Sequence, residues 1–495
     1  MERKTTQEKT EKTKTTGGIT LIALIITIIV MLILVAVTVQ IMVDSGLFRH
    51  AQDATTRWNQ AQMGEQEQIN MATDEIEAII KKNELPSDGS FSSKKGVNTP
   101  KLVEGMTPIK WDSTANEGKG DWVTTEGSDL EWYDYSEKKW ANVITSDGSM
   151  WVWIPRFAYT IANGFHQAGV IIDDIEPEKA AGTIGIEFLK GTSNEGATGK
   201  HIIEYNEETT NNYTNFPENG YVVHPAFTYD EELTGIWVAK FEASPEGATN
   251  NSSESEYNGI DKKLQIKPGV ASWRGITIGN AYSVCLNYNA QLNSHLMKNT
   301  EWGACAYLSK SKYGKNVEEV WINNSSNFIT GATGNSAVAA VDMGTEIDYT
   351  SAQGQKSSTT GTVYGIYDMN GGAWEYVAAY VNNEVNVLTE NGLSLINGEN
   401  HTKDIYSIGE IDYASDNYKV SYSKYGDAVF ETSSNGNLAY GSWYGDYSLF
   451  PYENGPFFIR SGASDGTSYS GLYCFVDFNG SAQINMSFRP VLSII

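Results

Sequence analysis

The stretch ITLIALIITIIVMLILVAVTVQIMV, Ile19–Val43, carries no charged side chain over its 25 residues. As a helix rising about 1.5 Å per residue it would reach roughly 37 Å, enough to cross a hydrocarbon core of about 30 Å. Lys12 and Lys14 precede it, and Asp44 and Arg49 follow it. Because short basic flanks stay in the cytoplasm, the pattern predicts a single-pass transmembrane helix with its N-terminus inside and the bulk of the chain at the cell surface. A buried core helix and a cleaved secretory signal are the alternatives.

The residues at this membrane border are Lys14-Thr-Thr-Gly-Gly18, followed by Ile19-Thr-Leu-Ile22. They resemble the class III signal of type IV prepilins, in which a basic leader ends in Gly and an apolar residue follows. The resemblance implies a leader at 1–18, cleavage by a prepilin peptidase between Gly18 and Ile19, and pilus subunits as partners. The family usually has Glu at the fifth mature position, where this chain has Ala23, and this departure weakens the case for filament assembly.

The composition of the chain excludes some classes of function and favours others. The 495 residues include 35 Lys and Arg against 61 Asp and Glu, a formal net charge of −26, which argues against nucleic acid as a partner. Aromatic residues make up 12% of the chain and Gly totals 47, which favours a turn-rich β protein or a ligand-binding surface. Three Cys give no disulfide framework. A Cys285–Cys305 bridge and three buried thiols both fit the sequence.

Beyond the membrane stretch the sequence divides into four parts. Residues 44–86 follow helical spacing and predict an amphipathic stalk helix that ends near Pro86. Residues 87–108 are a linker containing Ser, Gly and Lys. Residues 109–220 alternate Trp and polar residues and predict a β-rich spacer module whose Trp side chains form its core. Residues 221–495 form the C-terminal domain, where two helices are predicted, at Ile276–Asn289 and from His295.

Four short segments of the C-terminal domain fall in one order: Asn299-Thr-Glu-Trp302, Gly372-Ala-Trp374-Glu375-Tyr376, Arg460-Ser-Gly462 and Ser487-Phe-Arg489. This order resembles the formylglycine-generating-enzyme, or sulfatase-modifying-factor, branch of the C-type lectin fold. The resemblance implies an α+β fold with two helices packed against small, twisted antiparallel sheets. The predicted fold class of the whole chain is therefore α+β, with a long N-terminal helix, a small β module and a C-type-lectin-like domain.

The same resemblance implies a structural Ca²⁺ at the loop before Tyr376. Its ligands would be the Asn370 side chain, the Gly371 and Ala373 carbonyls and the Glu375 carboxylate. Hard oxygen donors on a tight Gly-containing turn suit this ion. The alternative is that Asn370 and Glu375 cap the loop through backbone amides.

An enzyme of the formylglycine-generating oxidase type is one alternative function. In that family a pair of nearby Cys in the C-terminal part holds copper through soft thiolates. Here Cys474 stands alone in that part, while Cys285 and Cys305 fall in the predicted helices, and the 6 His show no ligand-like spacing. We therefore predict no catalytic residue and no redox cofactor.

The stretch Tyr440–Gln483 is dense in Tyr, Trp, Phe, Ser, Asn, Asp and Gly. Tyr and Trp offer large contact area at low conformational cost, and the small polar residues adapt their hydrogen bonds, as in antibody paratopes. The stretch also resembles the variable tail of proteins diversified by diversity-generating retroelements. Phe457 and Phe458 are predicted to be core. The predicted ligand contacts are Trp443, Tyr444, Asp446, Tyr447, Tyr452, Asn454, Ser464, Asp465, Tyr469, Tyr473, Asp477, Asn479 and Ser481.

These patterns predict a non-catalytic, surface-anchored, pilin-like adhesin or ligand-display protein. Its partner would be an extracellular protein or glycan. A glycan ligand predicts stacking on Trp443 and Tyr444, whereas a protein ligand predicts a larger aromatic patch. A structural minor pilin subunit is the remaining alternative.

Overall fold

The structure is a computed structural model with two compact units, Met1–Asn83 and Glu84–Ile495. In the first unit residues 25–34 are helical. No helix among the described residues combines the length and apolarity needed to span a bilayer. The remainder of the predicted span, together with Gly18, Ile19, Ala23 and the stalk at 44–86, lies outside the described residues. The described residues are 25–34, 89–162, 181–199, 204–205, 213–214, 220–337, 347–466 and 469–495.

The second unit is mixed α and β, built mostly from sheets with few helices. Its main helices are α1 Ile278–Tyr288, α2 Asn299–Lys310, α3 Asn386–Asn397 and α4 Ala414–Val420. The strands are β1 Phe91–Ser92, β2 Val97–Asn98, β3 Met106–Asp112, β4 Asp121–Thr124, β5 Asn142–Thr145, β6 Met150–Pro155, β7 Phe157–Ala162, β8 Thr183–Phe188, β9 Glu204–Tyr205, β10 Tyr213–Thr214, β11 Val222–Val223, β12 Gly235–Ala239, β13 Ser244–Pro245, β14 Leu264–Gln265, β15 Ser294–Leu296, β16 Trp374–Val381, β17 Asp404–Tyr406, β18 Asn437–Leu438, β19 Ser448–Leu449, β20 Phe457–Ser461, β21 Gly471–Phe478, β22 Met486–Phe488 and β23 Pro490–Leu492.

Two seven-stranded sheets organise this unit. The first is antiparallel throughout and runs β15-β23-β12-β6-β5-β3-β4. The second runs β17-β16-β20-β21-β19-β18, and β22 pairs in parallel with β16. Because β22 and β23 follow one another in the chain but belong to different sheets, the last strands join the two sheets covalently.

The first sheet crosses the predicted boundary between a spacer at 109–220 and a domain at 221–495. Strand β6 from the predicted spacer pairs with β12 over five residues, from Gly235 opposite Pro155 to Ala239 opposite Trp151. All six residues of β6 are buried, as typical of a central strand covered on both faces. The two predicted parts therefore share one sheet. The prediction that Trp side chains of 109–220 form core is confirmed for Trp132, Trp140, Trp151 and Trp153.

The fully buried Lys240 strengthens the same junction. Its Nζ donates to the carbonyls of Val363 at 2.6 Å and Gly365 at 2.8 Å. It also lies 5.0 Å from the ring centroid of Trp122 and 5.4 Å from that of Tyr367. No carboxylate among the described residues pairs with it. Aromatic faces and two carbonyls thus replace water around this ammonium group, whose pKa burial lowers well below its usual range.

The helices differ from the predicted pair in one detail. Helix α1 lies inside the predicted Ile276–Asn289, but His295 belongs to β15, because that segment pairs with β23. Helix α2 begins at Asn299, after this strand. The Glu301 carboxylate accepts from the Lys298 N–H at 2.9 Å and so caps the N-terminus of the helix. Gly303 on α2 allows a close approach, since an added Cβ would lie 2.0 Å from the Gly426 carbonyl oxygen.

Between the two sheets lies a buried ion pair. The Arg489 guanidinium donates through both Nε and Nη2 to the Glu375 carboxylate, with Nε 2.7 Å from Oε2. It also donates to the Ala239 carbonyl on β12 at 3.2 Å and to the Tyr367 carbonyl at 3.1 Å. Both charged side chains are 0% exposed. Burial alone would lower the pKa of Arg489, but the charges of Glu375, Asp368 and Glu242 and the hydrogen bonds to Glu375 together raise it.

We predict that Glu375→Gln lowers the free energy of unfolding by about 3–5 kcal/mol, because it leaves a buried guanidinium without its counter-charge. Denaturant unfolding of the purified chain measures this loss. The matched control is Asp129→Asn, which removes a more exposed ion pair with Lys110 (2.6 Å) and should cost less than about 1 kcal/mol. Equal losses in the two variants would contradict the assignment.

Candidate ligand-binding face

The predicted ligand segment is organised around the hairpin of β20 and β21. The two strands pair from Phe457 opposite Phe478 to Ser461 opposite Gly471. At about 3.3 Å per residue, the five residues of β20 separate the hairpin ends by roughly 15 Å. The predicted contact residues therefore fall into two groups, one at each end of the hairpin.

The first group lies at the end formed by Ser461 and Gly471. Backbone bonds bring its segments together, since the Tyr447 N–H donates to the Tyr469 carbonyl at 3.0 Å and the Phe475 N–H donates to the Tyr447 carbonyl at 3.0 Å. The members of this group are Trp443, Tyr444, Asp446, Tyr447, Ser464, Asp465, Tyr469 and Tyr473.

The second group lies at the opposite end, beside Phe478. An added Cβ on Gly455 would meet Asp477 Oδ2 at 2.4 Å, and the Asn479 carbonyl accepts from the Asn391 side chain at 2.9 Å. Burial raises the pKa of Asp477 to about 6. The members of this group are Tyr452, Asn454, Asp477, Asn479 and Ser481. With one tyrosine and four short polar residues, this end offers less aromatic contact area than the other.

Four predicted contact residues are buried: Trp443, Asp446, Ser464 and Tyr473. Trp443 is 0% exposed, and its ring packs edge-on against Tyr473 with centroids 5.0 Å apart. Asp446 Oδ2 accepts from the Tyr473 N–H at 2.9 Å. Burial, reinforced by nearby Glu319, raises the pKa of Asp446 well above its usual range. These four side chains form the buried foundation of the surface.

Three partly exposed tyrosines, Tyr440, Tyr447 and Tyr469, form what we call the tyrosine face. The rings of Tyr440 and Tyr469 lie 4.5 Å apart at 31°, and their hydroxyls are hydrogen-bonded at 2.6 Å. Tyr447 packs edge-on against Tyr469 at 5.9 Å. Tyr440 is 44% exposed. It was not among the predicted contacts, although it opens the predicted stretch and has the same residue type as its neighbours.

The backbone beneath the face is strained at two non-glycine residues. Tyr440 has φ +68° and Tyr444 has φ +62°, in the left-handed region. Such conformations cost on the order of 1–3 kcal/mol each and persist where surrounding contacts hold them. Here the Ser434 N–H donates to the Gly441 carbonyl at 2.8 Å, and the Asp446 N–H donates to the Trp443 carbonyl at 3.2 Å. The turn at Tyr444 places Trp443 in the core while Tyr444 remains half-buried.

Tyr444 lies beside the tyrosine face, next to the charged residues Lys310 and Glu319. The Lys310 ammonium donates to its hydroxyl and lies 4.6 Å from its ring centroid. Burial lowers the pKa of Lys310 to about 8, although Glu319 opposes this shift, and burial raises the pKa of Glu319 to about 8. These contacts fix Tyr444 against α2.

Two of the four predicted calcium ligands, Glu375 and the Gly371 carbonyl, have other partners in this structure. Glu375 accepts hydrogen bonds from Nε and Nη2 of Arg489, and the Gly371 carbonyl accepts from Ser461 Oγ at 2.9 Å. Asn370 Oδ1 is buried without a partner among the described residues, so it fits a cation, but it is one donor. No group of three His, Cys, Asp or Glu in the described part of the chain is arranged for a metal. The predicted set does not fit calcium while Arg489 holds Glu375.

The three cysteines are free and buried, so the Cys285–Cys305 bridge is not formed. Burial raises the pKa of all three thiols, which lowers their reactivity as thiolates in the metal-free chain.

Comparisons with known proteins find distant structural matches and no match by sequence. No family model matches the chain, and no curated protein matches it. Several solved structures are similar, including the following three. Major Tropism Determinant I1 Variant shares 13% identity over 80% of this chain and 74% of its own, with a TM-score of 0.25. Major Tropism Determinant M1 Variant shares 11% over the same proportions, with a TM-score of 0.25. Treponema denticola variable protein 1 shares 12% over 60% of this chain and 93% of its own, with a TM-score of 0.23. By their names, the first two neighbours are variants of a tropism determinant and the third is a variable protein. TM-scores this low do not establish a common fold.

We predict that Trp443→Ala and Tyr447→Ala differ sharply in their effect on stability. Loss of the buried indole should cost about 3–5 kcal/mol because it leaves a cavity. Loss of the partly exposed Tyr447 ring should cost about 1 kcal/mol or less. Unfolding midpoints in denaturant measure both. A large loss for Tyr447→Ala would show that the tyrosine face is part of the core.

We also predict that calcium has little effect on the folded state. Since Arg489 already supplies a positive charge to Glu375, the thermal unfolding midpoint should be the same in EDTA and in excess Ca²⁺. Differential scanning calorimetry of the purified chain is the measurement, with Mg²⁺ as the control for ionic strength. A rise in midpoint specific to Ca²⁺ would show that the ion displaces the guanidinium.

Proposed function

We propose that this chain is a non-catalytic binding protein of the cell surface that contacts a protein ligand through the tyrosine face on a C-type-lectin-like domain. The observation that carries the proposal is the grouping of Tyr440, Tyr447 and Tyr469 at one end of a hairpin whose backbone is held by internal hydrogen bonds. Tyrosine rings bury large area at low entropic cost, and their hydroxyls add directional bonds. A face held by its own framework loses little freedom when it binds.

A protein ligand fits this surface better than a glycan. The expected glycan platform combined Trp443 with Tyr444, but Trp443 is fully buried and Tyr444 is held by Lys310. The exposed aromatic area belongs instead to tyrosines packed against one another. Such a patch, with Asp465 exposed in the adjoining loop, suits a protein surface with apolar and basic groups.

The anchoring part of the proposal rests on sequence. The uncharged stretch Ile19–Val43 and the prepilin-like border at Gly18 and Ile19 support a single-pass membrane anchor, processing by a prepilin peptidase and a surface location. Ala23 favours a single anchored protein over a filament subunit. The likeness of Tyr440–Gln483 to retroelement-diversified tails supports diversification of the face at the DNA level.

Arrays of purified extracellular proteins and of glycans, probed with the purified chain, test the proposed function. Replacing Tyr440, Tyr447 and Tyr469 together by Ser should weaken binding to any captured protein by at least about tenfold, because aromatic anchors dominate interface energies. The fold should remain, since these side chains lie outside the core.

The matched control places Ala at Asn454, Asp477 and Asn479 on the opposite hairpin end. That variant should bind as the unchanged chain does. Binding that survives the triple Ser change, or binding confined to the glycan array, would contradict the proposal.

A further inference from the structure

We propose that Tyr440 and Tyr469 form an intramolecular dityrosine cross-link when the protein meets a one-electron oxidant such as a haem peroxidase with hydrogen peroxide. The pair is a modification site defined by its geometry. It does not depend on which ligand the tyrosine face binds.

The two phenols are held in a geometry suited to ring-to-ring coupling. Their centroids lie 4.5 Å apart, their planes are tilted by only 31°, and the Tyr440 hydroxyl donates to the Tyr469 hydroxyl at 2.6 Å. Each ortho carbon adjoins the ring carbon that bears the hydroxyl, so the contact between the two oxygens brings the ortho positions of the two rings near one another. Tyr447 also contacts Tyr469, but the ring centroids are 5.9 Å apart and the planes meet at 63°. This is an edge-to-face arrangement, which is less suited to ring-to-ring coupling.

Access distinguishes this pair from other close tyrosines. Tyr159 and Tyr307 approach to 5.0 Å, but both are buried. Tyr440 is 44% exposed and Tyr469 is partly exposed. An oxidant in solution can therefore reach the Tyr440–Tyr469 pair directly.

The backbones that carry the two rings are fixed independently of the ring contact. The Tyr440 segment is tied by the Ser434 N–H to the Gly441 carbonyl at 2.8 Å. The Tyr469 segment is tied by its own N–H to the Gly466 carbonyl at 3.2 Å and by its carbonyl to the Tyr447 N–H at 3.0 Å. The fold therefore holds the two side chains near each other, which raises the effective concentration of one ring at the other.

The reaction balances with peroxide as the oxidant. Each phenol loses one electron and one proton, and the two phenoxyl radicals join through a carbon–carbon bond between their ortho positions. The two ring hydrogens at those positions then move to the oxygens, which restores both phenols. In total the protein loses two hydrogen atoms, and one hydrogen peroxide is reduced to two waters. The product links residues 29 positions apart across the tyrosine face.

The test treats the purified full chain with a haem peroxidase and limiting hydrogen peroxide. We expect dityrosine fluorescence, and a proteolytic peptide pair joining Tyr440 to Tyr469 whose mass lacks two hydrogens. The yield per chain should not depend on protein concentration, because the reaction is intramolecular. In denaturant the yield of this pair should fall by at least about tenfold, since the fold supplies the proximity.

Three conservative variants make the assignment specific. Tyr440→Phe and Tyr469→Phe should each abolish the cross-link, because phenylalanine forms no phenoxyl radical. Tyr447→Phe on the same face should retain it. Each change removes one hydroxyl, and the thermal unfolding midpoint checks that every variant is folded. A dominant link between chains, a link to Tyr447, or full yield in Tyr440→Phe would overturn the proposal.

Discussion

The pairing of Arg489 with Glu375 is the interaction on which the rest of the second unit depends. The guanidinium lies between strands of the two sheets, with Glu375 on one and the Ala239 carbonyl on the other. Two further carboxylates, Glu242 and Asp368, lie close enough to perturb its charge balance. Burial, followed by the Asp368 and Glu375 charges, raises the pKa of Glu242 well above its usual range. One cation therefore organises a set of buried acids, and Glu242 Oε1 also accepts from the Ala373 N–H at 2.9 Å.

The ion pair shows what two of the sequence motifs do in the fold. It also shows why their contact could not be deduced from the sequence alone. The Gly372–Tyr376 and Ser487–Arg489 segments were identified separately, and the calcium prediction assigned Glu375 to a metal. The two segments meet because β22 pairs with β16. A contact between residues 114 positions apart leaves no local pattern. The same limit applies to the spacer boundary, since the pairing of β6 with β12 joins segments whose compositions differ.

The candidate face shows a second limit of pattern reasoning. The aromatic and small polar composition of Tyr440–Gln483 predicted a ligand-binding surface in this stretch. The tyrosine face lies within it. Composition could not separate core from surface, because β21 is buried on both sides over its first five residues. Tyr473 thus packs under α2, where its hydroxyl donates to the Ala306 carbonyl at 3.2 Å. The inward turn of Trp443 follows from the left-handed conformation of Tyr444, which no alternation of residue types reveals.

The division between foundation and face has a consequence for how such a surface can vary. Trp443, Tyr473 and Asp446 are buried, and each contacts the hairpin or the helix beneath it, so their replacement disturbs packing. Tyr447 and Tyr469 meet the framework through backbone bonds that other side chains would leave in place. Because the hydrogen bonds that position the face are made by the main chain, side-chain identity there is free to change without a large loss of stability. A surface built in this way can be altered residue by residue while the ion pair between the sheets keeps the fold unchanged.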